Sequence, residues 1–173
     1  PKGSQIKIRL EREGYAQPLE FTVVRDEIPL HSVPYAFMVS KDVGYIRLVD
    51  FNETTACRPS EPAGCERNRE KALRTLKEQG ATSYVLDIRD NPGGLLDMAF
   101  SVSNLFLKKG QMVVYTKGRY KRDESSYITQ GDSPRSQASP VVITSRPSAS
   151  ASESVAGAIQ AHNHEKHVNR LCR

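Results

Sequence analysis

Residues 5 to 10, QIKIRL, carry an apolar side chain at every second position, and LEFTVV at 19 to 24 does so again after EREGYAQP, which holds a glycine and a proline. Period-two alternation on either side of a turn predicts a β-hairpin. Two short strands bury no core of their own, so residues 1–26 read as the last part of a domain that begins earlier. Pro29 and Pro34 in DEIPLHSVPY predict an extended crossing into a second unit. VGYIRLVDF at 43–51 reads as a strand. CERNREKALRTLKEQG reads as a helix with Ala72, Leu73 and Leu76 on one face and Gly80 at its close. TSYVLDIR at 82–89 is a strand, GGLLDMAFSVSNLFLKKG a turn and helix, and QMVVYT at 111–116 a further strand. The polar stretch 117–139 predicts a hairpin or a flexible excursion, after which PVVITS leads into a helix with Val155, Ala158 and Ile159 on one face. Strands alternating with helices of this length predict an α/β core over residues 27–161, a largely parallel sheet covered on both faces by helices. Residues 162–173 break the pattern. A crossover helix calls for another apolar strand, yet this polar tail offers only Val168 and Leu171.

Composition changes the picture little. With 173 residues and 38% hydrophobic content the chain can build one ordinary core. The net charge of +5 is scattered, long basic stripes with interleaved aromatics are missing, and there is no tryptophan for base stacking, which argues against a nucleic-acid partner. No run approaches the roughly 20 apolar residues of a membrane-spanning helix. The opening PKGSQIKIRL, with neither initiator Met nor signal segment, reads as a piece of something longer. Three cysteines are too few for a disulfide scaffold; Cys57 and Cys65 bracket a Pro/Gly-containing loop and either pair in an oxidising compartment or stay thiols, with Cys172 left over.

Chemistry in such sheets collects at the carboxyl ends of the strands. Two turns there have unusual content. Asp90-Asn91-Pro92-Gly93-Gly94 follows a strand, and its glycines either aim consecutive N–H groups outward as an anion nest or simply relieve a tight turn. The second turn, RPSASASES, follows PVVITS. Ser150 and Glu153 match a capping box, while a serine at a strand-to-helix turn also stands where a nucleophile would, beside a helix N-terminus. Both roles stay open for Ser150. His162, His164, His167 and Cys172 are zinc-capable donor types, but on a short polar tail the incidental reading is preferred. Asp87 and Asp90 make no acid/base pair, one lying in a strand and the other in a turn where capping explains it.

GYIRLVDFNETTA, YVLDIRDNPGGLLDMAFSVSNLFL, VVYTKGR and SASASESVAGAIQ, in this order, resemble the carboxyl-terminal processing peptidases, or tail-specific proteases. The resemblance implies that Ser150 is the nucleophile and that the oxyanion hole uses the N–H of Ala151 and one from Gly93 or Gly94. It implies a Ser-Lys dyad whose base lies about 25 residues beyond the serine, past Arg173, so that the base lysine is absent from this chain. Lys166, the only lysine after Ser150, lies in the polar tail, and the pattern does not promote it to base. The expectation is therefore a chain cut at both ends and inactive as it stands. The resemblance further implies that residues 1–26 end a PDZ domain, that the partners are protein or peptide substrates held by their C-termini, that no cofactor or metal is needed, and that the protein works in the bacterial periplasm or envelope, where Cys57 and Cys65 would pair. Ser154 departs from the family's larger apolar residue, predicting a weaker hold on its helix. The rival is a non-catalytic peptide-binding module of the same fold. Neither the substrate nor the oligomeric state is legible.

Overall fold

The computed structural model describes residues 1–26, 31–55, 68–120, 122, 124–130 and 140–162, which fall into two units, Pro1–Leu30 and His31–Arg173. In the first, β1 (Gln5–Leu10) and β2 (Leu19–Val24) pair antiparallel, the hairpin that the two-residue period predicts. Its register sets Ile6 opposite Val23 and Ile8 opposite Phe21, so these apolar side chains share a face, and all four are exposed.

The second unit is an α/β layer structure. Its sheet holds β3 (Tyr35–Met38), β4 (Val43–Arg47), β5 (Ser83–Asp87) and β8 (Val141–Ile143) in the order β3-β4-β5-β8. The β4–β5 and β5–β8 pairs are parallel and β3–β4 is antiparallel, so the sheet is largely parallel, as predicted. Ile46, Tyr84, Leu86 and Val142 line one face, with Leu48 and Ile88 just beyond the strand ends. Against them pack α1 (Asn68–Glu78) through Leu73 and Leu76, α2 (Leu96–Ser103) through Met98, Ala99 and Val102, and α3 (Ala151–His162) through Val155, Ala158 and Ile159. A Cβ on Gly44 would stand 2.9 Å from a methyl of Leu76, so the bare glycine lets α1 lie close on β4.

Three details differ from the sequence pattern. Coverage on both faces was expected, yet among the described residues every helix lies on one face; on the other, Tyr35, Phe37 and Val141 are 64%, 51% and 44% exposed. From β4 through β5 to β8 the strand order never reverses, and right-handed crossovers that keep one direction put their helices on one side. Second, Tyr35–Met38, of which only Tyr35 fell within the expected crossing and the rest had no assigned element, joins the sheet: Pro34 precedes the strand and so removes no ladder donor. Third, β6 (Met112–Thr116) leaves the parallel sheet to pair antiparallel with β7 (Ser125–Ile128), and its Val113 reaches the core beside α2 and α3. The polar segment thus holds the hairpin partner that its pattern allowed. Residues 56–67 lie outside the described residues, and the Cys57–Cys65 expectation with them. No helix among the described residues is long and apolar enough to cross a membrane.

Candidate active site

Two turns meet at the carboxyl ends of β5 and β8, and one buried side chain joins them. Asn91 is fully buried. Its Nδ2 donates to the Leu48 carbonyl at 3.0 Å and its Oδ1 accepts the Gly93 N–H at 2.9 Å, an Asx turn closing on the glycine bend. Its own carbonyl accepts the Ala149 N–H at 3.1 Å and the Ser152 hydroxyl at 2.9 Å. Asn91 therefore ties the end of β4, the glycine bend and the serine turn into one unit. The glycines allow the closeness. A methyl group on Gly93 (φ +106°) would lie 2.8 Å from both the Ala149 carbonyl oxygen and Ser150 Cβ, and 3.0 Å from the Ala151 nitrogen. One on Gly94 (φ +137°) would lie 2.5 Å from the Phe51 carbonyl oxygen.

This geometry corrects the nest. Gly93's N–H is already used by Asn91, so only the Gly94 N–H stands without an acceptor among the described residues. The Ala151 N–H, first of α3, is likewise without one.

The serines divide by task. Ser145 accepts the Asp90 N–H at 2.7 Å and donates to Asp90 Oδ1 at 2.9 Å. Ser148 donates to the Ile88 carbonyl at 2.7 Å, and Ser152 to Asn91 as above. Ser150 alone in SASAS is exposed, with no partner for its hydroxyl among the described residues. Only half of the predicted capping box forms: Glu153 Oε2 accepts the Ser150 N–H at 2.9 Å, but the hydroxyl caps nothing. The backbone explains this. Ser150 has φ +54°, outside the extended region in which an N-cap side chain reaches back to its helix. A left-handed non-glycine costs on the order of 1–2 kcal/mol and persists only where its surroundings impose it. Here Asn91, through Ala149 and Ser152 on either side, imposes it.

Asp90 shares the left-handed conformation, at φ +58°. It does not cap a helix, the role that had been expected of it; α2 has Leu95 at its N-cap and no side-chain cap, and Asp90 instead holds the serine turn through Ser145. Asp87 sits fully buried where β5 ends. It accepts from the Arg89 guanidinium at 2.7 Å, the Tyr45 hydroxyl at 2.6 Å and the Arg47 guanidinium at 2.8 Å. Burial pushes its carboxyl up, but the hydrogen bonds from Arg89 and Tyr45 and the charge of Arg47 outweigh that and hold it well below the usual carboxylate range. An ionised, saturated acceptor is no proton shuttle. The same cluster raises the Tyr45 hydroxyl, by burial first and by the hydrogen bond to Asp87 second.

Ser154 is half-buried, with its hydroxyl 3.4 Å from the Ser150 carbonyl, so an apolar residue there would regain only part of a full burial. His162 Nε2 lies 2.7 Å from the Met112 carbonyl. His164, His167, Cys172 and Lys166 lie outside the described residues, and no metal-holding group of three exists among the described ones. Sequence reasoning missed Asn91, Ser145, Ser148 and Ser152; the readable signal was Asn before Pro-Gly, an Asx-turn pattern.

Comparison with known proteins points the same way. The chain is 39% identical over 162 residues to the carboxy-terminal-processing protease of Bartonella bacilliformis, covering 94% of this chain and 35% of that protein. It is 33% identical over 159 residues to the carboxy-terminal processing protease CtpA of Bacillus subtilis, covering 91% of this chain and 31% of that one. It thus spans about a third of the length of these relatives. Among solved structures, the photosystem II D1 C-terminal processing protease superposes with a TM-score of 0.58 at 26% identity, over 92% of this chain and 42% of its own. Residues 42–169, which hold both turns and the parallel strands β4, β5 and β8, match the model of peptidase family S41, and the chain belongs to that family.

Proposed function

We propose that the whole protein is a serine endopeptidase that trims the C-terminal tails of proteins, with Ser150 as nucleophile. One observation carries this. In a turn where every neighbouring serine is tied down, the hydroxyl of Ser150 is exposed and has no partner among the described residues, while its backbone is held left-handed against the Gly93 bend. The Ala151 N–H lies beside that bend at the positive end of α3, and Gly94 carries the other amide without an acceptor; together they suit an oxyanion. Ser150 Oγ would add to the scissile carbonyl carbon, its proton passing to a neutral amine base. The C–N bond then breaks as the leaving amine takes a proton, and water hydrolyses the ester.

The base expected for this class is a lysine. The stretch from Ala151 to Arg173 contains one lysine, Lys166, which no pattern supports as base. Losing one member of such a constellation costs on the order of a million-fold where measured, so without a base the 173-residue chain would be nearly inert; the rival reading is a non-catalytic peptide-binding module of the same fold. The β1–β2 hairpin, with its apolar face exposed, supports the reading of residues 1–26 as the close of a PDZ domain that would hold substrate C-termini by strand addition. A periplasmic or envelope location belongs to the same reading.

A fluorophosphonate probe tests it. The 173-residue chain should remain unlabelled, and a version continued through an apolar strand bearing lysine should label at Ser150 and lose labelling as S150A. Labelling of the short chain would overturn the account of the base; an extended version that stays unlabelled would overturn the nucleophile.

A further inference from the structure

Gly94 is bridged to Phe51 in the parallel sense. The Phe51 N–H donates to the Gly93 carbonyl at 3.0 Å, and the Phe51 carbonyl accepts the Leu95 N–H at 2.7 Å. Every described peptide bond is trans, and across a trans bond the carbonyl and the N–H point in opposite directions. Because the Gly93 carbonyl faces Phe51, the Gly94 N–H faces away from it. Because the Leu95 N–H faces Phe51, the Gly94 carbonyl faces away as well. Both backbone groups of this exposed residue therefore look out from the bridge, and neither has a partner among the described residues. An oxyanion occupies the N–H alone. The residue is also backed so that it cannot swing inward: Phe51 is fully buried, and a methyl group on Gly94 would lie 2.5 Å from the Phe51 carbonyl oxygen and 3.0 Å from Asp50 Oδ1. A donor and an acceptor offered together by one edge residue match a hydrogen-bonded antiparallel pair, in which two residues exchange both N–H···O bonds.

We infer that the Gly94 carbonyl is a substrate-binding group, accepting the N–H of the same substrate residue whose carbonyl oxygen enters the oxyanion hole. This deepens the reading of Ser150 as nucleophile and rests on it. The substrate residue on the acyl side of the scissile bond lies extended and antiparallel to residues 93–95, giving its carbonyl to the Gly94 N–H and its N–H to the Gly94 carbonyl. One bond alone would leave the peptide free to pivot about its carbonyl; the second fixes the face that the carbonyl carbon turns to Ser150. The contact reads backbone, so it sets a rule independent of side chain: the acyl-side residue must carry an N–H. Proline and N-substituted residues are rejected there, because they lack the donor and leave the Gly94 carbonyl unpaired.

Changing the substrate, not the protein, tests this without disturbing the fold. The whole protein, first shown to label at Ser150 with a fluorophosphonate, is assayed on a fluorogenic peptide with a free C-terminal carboxylate, its cleaved bond mapped by mass spectrometry. Replacing the acyl-side residue's N–H by an ester oxygen should lower kcat/KM about tenfold, and N-methylating it, which adds bulk, about 100-fold. The same ester one residue earlier should cost less, since successive N–H groups of an extended peptide face opposite sides. Equal losses at the two positions, an ester at the acyl-side residue cut as fast as the parent, or cleavage after proline would overturn the Gly94 contact and leave Ser150 as nucleophile. Failure to label or to cleave would overturn both, so the labelling step tells the two failures apart.

Discussion

Asp90 and Ser150 are the two non-glycine residues held left-handed among the described residues, at φ +58° and +54°, and they lie in adjoining turns. Asp90 is repaid locally. Its side chain and its N–H both reach Ser145, and short Asp side chains tolerate this backbone region. Ser150 receives no such return: its hydroxyl has no partner among the described residues, and its neighbours Ala149 and Ser152, not its own side chain, are bonded to Asn91. Equal backbone strain with opposite side-chain outcomes separates a residue that builds the turn from one that the turn presents.

The link between the two turns is the largest thing to break. N91A would strand the Leu48 carbonyl and the Gly93 N–H in a buried site. The expected loss is about 2–4 kcal/mol in urea unfolding. A loss below about 1 kcal/mol would mean that Ser150 is held by something other than Asn91.

The root of the Asp90 turn is next. Because the folded Asp87 carboxyl lies below its ordinary 3.8, the stability it provides is complete above that value and drains away as pH falls beneath it. D87N should cost about 2 kcal/mol at neutral pH, less than a wholly buried pair would lose because Arg89 is half exposed. It should also flatten the fall in stability below about pH 4. An acid profile unchanged by D87N would remove Asp87 from the account.

The smallest effects compare the two residues directly. S150G should raise stability by about 1 kcal/mol, since glycine adopts the left-handed region freely and no hydroxyl contact is lost. D90G forfeits the Ser145 bond and should gain nothing or lose about 1 kcal/mol. Chemical denaturation of the pair decides it, and shifts of the same sign would erase the distinction.

Much of the framework is legible along the chain because its cues are local. The β1–β2 hairpin follows from alternation around a Gly/Pro turn. Ala72, Leu73 and Leu76 are buried where their spacing puts them, as are Val155, Ala158 and Ile159. The short strand Tyr35–Met38 was harder to see, since four residues after a proline carry no period; its place depends on an antiparallel partner supplied by β4.

The sequence by itself determined which residue types stand at the two strand-to-helix turns, and that a largely parallel α/β sheet would bring strand ends together. Only the tertiary structure decided that the three helices among the described residues share one face, that β6 pairs with β7, that Gly93's amide is spent on Asn91 while Gly94's is not, and that Ser150 alone among the serines of its turn has no hydroxyl partner among the described residues. Those outcomes are contacts between segments up to about sixty residues apart, such as Ser152 with Asn91 or Ser148 with Ile88. A local pattern names the groups able to form a hydrogen bond. Which donor meets which acceptor is settled when the sheet closes and competing partners are buried together.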